Sequence, residues 1–359
     1  MRILVTGGAG YVGSVSVERF LAAGHRVVVV DDLSTGHRVA VPPEARLATI
    51  DYADEAAMAA LLAEERVDAI LHCAARSLVG ESVRDPARYY RANVVGGIAL
   101  LEAARAAGIR RVVFSSTAAV YGIPEATPIT EDTPLRPINP YGETKRAFEG
   151  ALRWYGDAYG FRSVALRYFN VAGATERFGE VHDPETHLIP KILRAAEGAA
   201  RAATDGAAEK AIDGAADGAA DGAAGLTIYG TDYRTPDGTG IRDYIHVADL
   251  ADAHLAALEA TAPDDPRSGA PDAGSFTALN LGNGGGFSVF EVLRVAEAVV
   301  GREIPHTIGP RRAGDPPVLV ASAARAGEVL GWRPRRPTLE EMVGSAWAWR
   351  RRHPTGYGT

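Results

Sequence analysis

Short β-rich runs alternate with longer Ala- and Leu-rich stretches through the first half of the chain. Ile3 to Thr6 reads as a strand, Tyr11 to Ala23 as a helix, and His25 to Val30 as a second strand closed by Asp31. Further strands fit Ala69 to His72, Arg111 to Ser115 and Ser163 to Arg167, with helical patterns between them. Strands that alternate with helices pair in parallel. The pattern therefore predicts an α/β fold on a doubly wound parallel sheet covered on both faces.

The second half is less regular and richer in Pro and Gly, and is expected to supply a smaller mixed α/β lobe. The expected division gives residues 1–175 and about 241–262 to the sheet domain, and 176–240 and 263–359 to the lobe. Ala195 to Gly225 stands apart, because Asp-Gly-Ala-Ala recurs at 205, 213, 217 and 221. A period of four suits a helix, but glycine in every repeat opposes one and alanine alone buries little. A poorly ordered surface insertion is expected there. Pro263 to Gly274 reads as another exposed loop.

Composition narrows the functional classes. A chain of 359 residues is long enough for one large domain or two smaller ones. The net charge of -7 argues against broad binding to nucleic acid or anionic membranes, though a few local arginines suffice for an anionic ligand. The single cysteine, Cys73, excludes an internal disulfide and fits a cytoplasmic setting. The nine histidines follow no familiar metal spacing, and His182 and His187 fall in the loop-like stretch VHDPETHLIP, so no metal is expected. The apolar run Ile3-Leu4-Val5 is too short for a signal-peptide core, and no window reaches about 18 apolar residues, so neither export nor a membrane span is expected.

Two local patterns carry candidate chemistry. The stretch Thr6-Gly7-Gly8-Ala9-Gly10-Tyr11-Val12-Gly13 is a GxxGxxG pattern between a strand and a helix. Glycines let the backbone approach a pyrophosphate, and the helix N-terminus offers free N–H groups to it. Asp31 ends the next strand about twenty residues on, where its carboxylate accepts from ribose hydroxyls and repels a 2′-phosphate. With Asp32 adjacent, NAD is favoured over NADP; a helix-capping acid pair is the alternative. The second pattern joins Thr117, at the end of Phe114-Ser115-Ser116-Thr117, to Tyr141 and Lys145 in Tyr141-Gly142-Glu143-Thr144-Lys145. A spacing of four puts Tyr141 and Lys145 on one helical face, and Pro140 suits the first turn. The Lys145 ammonium, the helix dipole and a cationic nicotinamide all favour phenolate, so a lowered tyrosine pKa is expected.

With these motifs in place the chain resembles the extended short-chain dehydrogenase/reductases, and among them the UDP-glucose 4-epimerase group, over nearly its whole length. The stretches HCAARSLVGES (72–82), FSSTAAVYG (114–122), NPYGETK (139–145), LRYFNVAGA (166–174), DGTGIRDYIHVADLADAH (237–254) and RRAGDPP (311–317) carry the resemblance. It implies a Rossmann domain with a substrate-binding lobe, bound NAD, interconversion of UDP-galactose and UDP-glucose, and a homodimer. Tyr141, Lys145 and Thr117 are then the catalytic set. Leu33, Ser34, Thr35 and Gly36 join the cofactor site, and Asp51 and Tyr52 flank the adenine. Cys73, Ala74, Ala75, Arg76, Ser77, Asn93, Ser115 and Phe169 line the rest of the dinucleotide. The resemblance places Asn170, Leu188, Arg242, Arg312 and Asp315 on the UDP and sugar, with Tyr229 on the uracil and Leu319 against the hexose. For Arg242 the alternative is a surface salt bridge, for Tyr229 a core aromatic, and for Leu319 plain strand packing. Ser77 stands where a family lysine is frequent, which puts one contact to the nicotinamide ribose in question.

Three rivals are weighed. A nucleotide-sugar 4,6-dehydratase needs an Asp-Glu pair after the threonine, and Ala118 and Ala119 stand there instead. A non-catalytic dinucleotide sensor has no need of the Tyr141–Lys145 pair. A broader epimerase acting also on UDP-N-acetylhexosamines stays open, because Leu319 leaves more room than tyrosine.

Overall fold

The computed structural model describes residues 1–204, 226–263, 265, 274–311 and 315–358. Its main sheet contains β1 (Arg2–Thr6), β2 (Arg26–Val30), β3 (Arg46–Ala48), β4 (Ala69–His72), β5 (Arg111–Thr117) and β6 (Arg162–Tyr168). A seventh strand, Ser275–Leu281, pairs beside β6, and the order from that edge is Ser275–Leu281, β6, β5, β4, β1, β2, β3, all parallel. The chain leaves β1 toward β2 on one side and returns to β4 on the other. That reversal opens a crevice beyond the carboxyl ends of β1 and β4, where ligands bind in sheets of this kind.

Both faces of the sheet are covered, as alternating strand side chains require. Ile3, Val5, Val29, Leu71 and Leu166 point to one face, against Phe20 of the first helix (Tyr11–Ala22) and Leu250 and Leu258 of the helix Val247–Ala260. Leu4, Val28, Ile70, Val112 and Phe114 point to the other, against Leu62, Leu101 and Phe148. A third core of Ile189, Ile192, Leu193, Ile228, Val292, Leu293, Met342 and Val343 belongs to the smaller lobe. That lobe carries a three-stranded mixed sheet joining Ile241–Arg242 to Phe287–Ser288 and Val318–Leu319, and a pair joining Leu226–Tyr229 to His306–Gly309.

Three expectations change. β3 was not foreseen, since it is three residues long with Leu47 its one large apolar side chain. The strand Ser275–Leu281 comes from the stretch expected in the smaller lobe, yet it completes the large sheet. The segment expected to be a poorly ordered insertion begins as helix: Leu188–Thr204 runs through its first ten residues. Ile189, Ile192, Leu193 and Ala196 are buried at helical spacing, and Glu197 pairs with Arg350 at 2.7 Å, so packing carries the helix into the alanine-rich sequence. The rest of that insertion and nearly all of the loop at 263–274 lie outside the described residues. Among the described residues no helix is long and apolar enough to cross a membrane.

Candidate active site

The glycine loop sits at the reversal point. Gly7 has φ +69°, and a Cβ on it would lie 2.7 Å from the Ala74 nitrogen, so only glycine lets the β1 and β4 exits run this close. Gly10 begins the first helix with no side-chain cap and no acid in the first turn, which leaves its N–H groups facing the crevice. The Tyr11 hydroxyl donates to the Gly173 carbonyl at 2.6 Å, so the ring ties the loop to the chain after β6.

Asp31 holds the same loop from β2. It accepts the Ala9 N–H at 3.0 Å and the Leu33 N–H at 2.9 Å, and burial raises its pKa. Asp32 accepts both the N–H and the hydroxyl of Ser34. Both carboxylates accept N–H groups of loop residues and neither caps a helix, so the helix-capping alternative does not hold; a carboxylate has about four acceptor positions and Asp31 uses two of them for Ala9 and Leu33. Leu33 turns through φ +59°, with Ser34 and Thr35 exposed behind it. Asp51, expected beside the adenine, accepts the Ala53 N–H at 2.9 Å, and the Tyr52 hydroxyl donates to the Ala92 carbonyl at 2.7 Å. Asn93 fixes the β4 exit by accepting the Arg76 N–H at 2.8 Å and donating to the Arg76 carbonyl and to Thr144 Oγ1, each at 3.0 Å. Cys73 Sγ lies 3.1 Å from Ser115 Oγ, and Ser77 is exposed.

Thr117 ends β5, and Tyr141 and Lys145 come from the helix Pro140–Tyr159. Asn139 caps that helix on the Gly142 N–H at 2.9 Å, and Pro140 opens it. A Cβ on Gly142 would lie 2.5 Å from the Ala119 carbonyl oxygen; its absence lets the helix start press against the end of β5. The Thr117 hydroxyl accepts the Ala119 N–H at 3.1 Å and is hydrogen-bonded to Tyr141. Lys145 is buried, donates to the Ser115 carbonyl at 2.8 Å, and lies 4.6 Å from the Phe114 ring centre and 6.0 Å from that of Tyr141. Burial lowers its pKa to about 8. The chain's own groups do not lower the Tyr141 pKa: burial raises it and the Thr117 bond works against that rise, so the expected lowering rests on the cationic nicotinamide. Lys145 spends its short contact on a carbonyl rather than on the phenol.

Of the sugar-side candidates, Tyr229, Arg242 and Leu319 lie on the lobe's small sheets. Arg242 Nη2 is 4.0 Å from Asp315 Oδ1, too long for a tight salt bridge, on a strand that pairs with Leu319. Tyr229 is 40% exposed, which rules out the core-aromatic alternative, and its ring lies against Gly309. Leu319 packs against the cluster of Val120, Tyr121 and Ile129, so strand packing accounts for part of its environment. Asn170 is exposed beside the Tyr244 hydroxyl, and Leu188 opens the helix Leu188–Thr204. Arg312 lies outside the described residues.

The sequence pattern of the NAD dependent epimerase/dehydratase family matches residues 3–268. This chain belongs to that family. It is 46% identical over 361 residues, 100% of this chain and 99% of the other, to the UDP-glucose 4-epimerase of Lacticaseibacillus casei. The UDP-glucose 4-epimerase of Brucella ovis in complex with NAD superposes with TM-score 0.85 at 42% identity, covering 97% of each chain. That of Bifidobacterium longum in complex with NAD+ and UDP gives TM-score 0.84 at 34% identity, covering 99% of this chain and 100% of that one.

Within the family frame, three polar features escaped the sequence reading. Glu149 accepts Ser116 Oγ at 2.5 Å and both Arg167 Nε and Nη2, Arg167 Nη1 donates to Tyr121 at 2.9 Å, and Tyr121 donates to Asn280 at 2.7 Å. His254 bridges Ser115 at 3.0 Å and Ser16 at 3.1 Å behind the catalytic strand. Asp243, next to Arg242, accepts N–H groups of Asn283, Gly284 and Ala321 at 2.7, 3.0 and 3.0 Å. Glu149 alone had a local signal, since it lies one turn beyond Lys145 on the same face.

Proposed function

We propose that this chain interconverts UDP-galactose and UDP-glucose by oxidation at C4 and re-reduction on the opposite face. The observation that carries the reading is the junction of Thr117, Tyr141 and Lys145 beside the glycine loop, followed by Ala118 and Ala119 rather than acids. The cradle suits NAD: the Gly7 turn, the uncapped helix start and Asp31 meet a pyrophosphate and a ribose. When bound, NAD supplies the hydride acceptor for C4 and returns the same hydride. Tyr141 takes the C4 hydroxyl proton and gives it back, and Thr117 shares the hydrogen bond that orients it. The chain's own groups keep the phenol protonated, so its activation comes from a cationic ring, with Lys145 holding the frame through Ser115.

Residues 1–175 and about 241–262 hold the dinucleotide, and UDP is held where they meet the lobe, through Asn170 and Arg242 at the edges of those segments and Leu188, Tyr229, Arg312 and Asp315 of the lobe. Arginine suits a diphosphate and an aromatic face suits uracil. The protein is a cytoplasmic homodimer in this reading. Val83, Tyr90, Val95, Ile98 and Trp154, the last 70% exposed, crowd the helices of the sheet domain, and a second copy would cover them. Light scattering should return twice the mass of 37.8 kDa, and Trp154→Glu should halve it.

Product analysis with UDP-galactose and no added cofactor tests the activity. UDP-glucose is expected. A 4-keto-6-deoxy sugar would mean dehydration, and no product from NAD-loaded protein would mean a binding role.

A further inference from the structure

Outside the crevice, the loop before the helix Leu188–Thr204 gathers four side chains that the proposed chemistry does not use. Glu180, His182, Glu185 and His187 each bring one ligand-type atom to a common point, all within 4.8 Å of one another. They form two Glu-x-His steps, Glu180-Val181-His182 and Glu185-Thr186-His187. His182 Nδ1 lies 3.1 Å from Glu180 Oε1 and 4.0 Å from Glu185 Oε1, while His187 Nδ1 lies 2.5 Å and 3.6 Å from the same two oxygens. Ligands at zinc distances stand about 3.3 Å apart along the edge of a tetrahedron. The observed spacings bracket that edge.

We propose that these four residues form a structural site for a divalent transition metal, zinc in first place. Two imidazoles and two carboxylates are a borderline donor set that suits zinc better than calcium or magnesium, which take oxygen ligands throughout. The carboxylates also balance a dication. An independent observation points the same way: the Glu185 side chain is fully buried, and its Oε2 has no hydrogen-bond partner. Arg194 Nη2 is 3.7 Å from that oxygen, beyond hydrogen-bond reach. The rival is a metal-free ion pair. In it Glu180 Oε1 holds both imidazoles and Glu185 Oε1 accepts the N–H groups of Thr186 and His187 at 2.8 and 2.9 Å, which still leaves the buried Glu185 Oε2 without a hydrogen-bond donor.

The site's place gives it a role. The Tyr11 ring of the glycine loop stands edge-on to His182 with centroids 6.5 Å apart, and Arg194 of the following helix donates to the His182 carbonyl at 3.1 Å. A metal here pins the start of the helix Leu188–Thr204 against the glycine loop, joining the two cores away from the reacting atoms. The sequence alone led to the opposite expectation.

The test uses the full-length protein with its NAD. After incubation with zinc and dialysis into metal-free buffer, elemental analysis should find about one zinc per chain. Magnesium or calcium in the same procedure should not be retained. His182→Asn and His187→Asn should each lose the zinc while keeping NAD and turnover of UDP-galactose, which shows that they fold. A chelator should lower the wild-type thermal midpoint by several degrees and leave the variants unmoved. Cobalt in place of zinc should give the visible band of a tetrahedral ion in wild type alone. If folded wild type retains no zinc, or if both variants retain it as well as wild type does, the site is not a metal site.

Discussion

Thr117 and Lys145 sit among buried groups bonded to one another, whereas Arg242 and Tyr229 stand partly open on short strands of the smaller lobe and Asp315 lies exposed outside any strand. On the first side Ser116, Glu149, Arg167 and Tyr121 form a closed chain with contacts of 2.5 to 2.9 Å, and Lys145 is held at 2.8 Å. On the second, Arg242 and Asp315 stand 4.0 Å apart and Asp315 is 43% exposed. Proton and hydride transfer need reacting groups fixed to fractions of an ångström, because small displacements cost orders of magnitude. A sugar that must offer both faces to one cofactor needs room to turn. The contrast between a rigid junction and a loose pocket is what this chemistry requires of one crevice.

Breaking the rigid side should have the largest effect. Tyr141→Phe keeps the ring and removes the proton acceptor, so kcat should fall by about 10²–10⁴-fold with UDP affinity nearly unchanged. Stopped-flow turnover beside calorimetric UDP titration separates the two. Near-normal turnover would show that the wrong helix has been assigned.

Glu149→Ala should follow. It strands the buried Arg167 guanidinium and should lower unfolding stability by about 3–5 kcal/mol. Denaturant titration gives the value, and an unaltered midpoint would mean that the junction's rigidity does not rest on this pair.

On the loose side, Arg242→Ala should raise KM for UDP-galactose by about 10–100-fold, the worth of a charge-assisted contact, with a smaller change in kcat. A kcat loss as large as that of Tyr141→Phe would erase the distinction between the two sides.

Acid should weaken the rigid side gradually. Burial lowers the pKa of His72 and His254 from 6.5 to about 3 each, helped at His72 by Lys145. The unfolded chain therefore takes up protons below about pH 6.5 while the folded chain does not. Stability is present above that pH and is lost as pH falls toward about 3. Denaturation midpoints between pH 7.5 and 4.5 should decline, and a flat profile would show that these rings are not buried neutral. Leu319→Tyr should have the least effect. It should suppress any epimerisation of UDP-N-acetylglucosamine while sparing UDP-galactose, and equal slowing of both would show that Leu319 only packs on the cluster of Val120, Tyr121 and Ile129.

Legibility in the sequence follows the range of the interactions. β1, β2 and β4 were readable because each is a run of apolar residues ended by a turn signal, and the glycine loop and the Tyr141–Lys145 spacing are local patterns. β3 and Ser275–Leu281 are strands through their neighbours more than through their own composition. The helix Leu188–Thr204 shows the same override, since packing of Ile192, Leu193 and Ala196 carries it into an alanine-rich stretch. The Glu149 network was not legible because its bonds join residues 18, 46 and 159 positions apart. The chain's own effect on the Tyr141 pKa was hidden for a related reason. Charge near the phenol was visible in the pattern, but burial and the turning of Lys145 toward Ser115 were not.

The central claim is that C4 gives up its hydride and receives the same one back inside the closed junction. UDP-galactose labelled with deuterium at C4, turned over in ordinary water and read by NMR, tests it most directly. Retention of the label at C4 of the UDP-glucose product is the predicted result. Washing of deuterium into solvent would contradict the account and point to exchange through an enolised sugar.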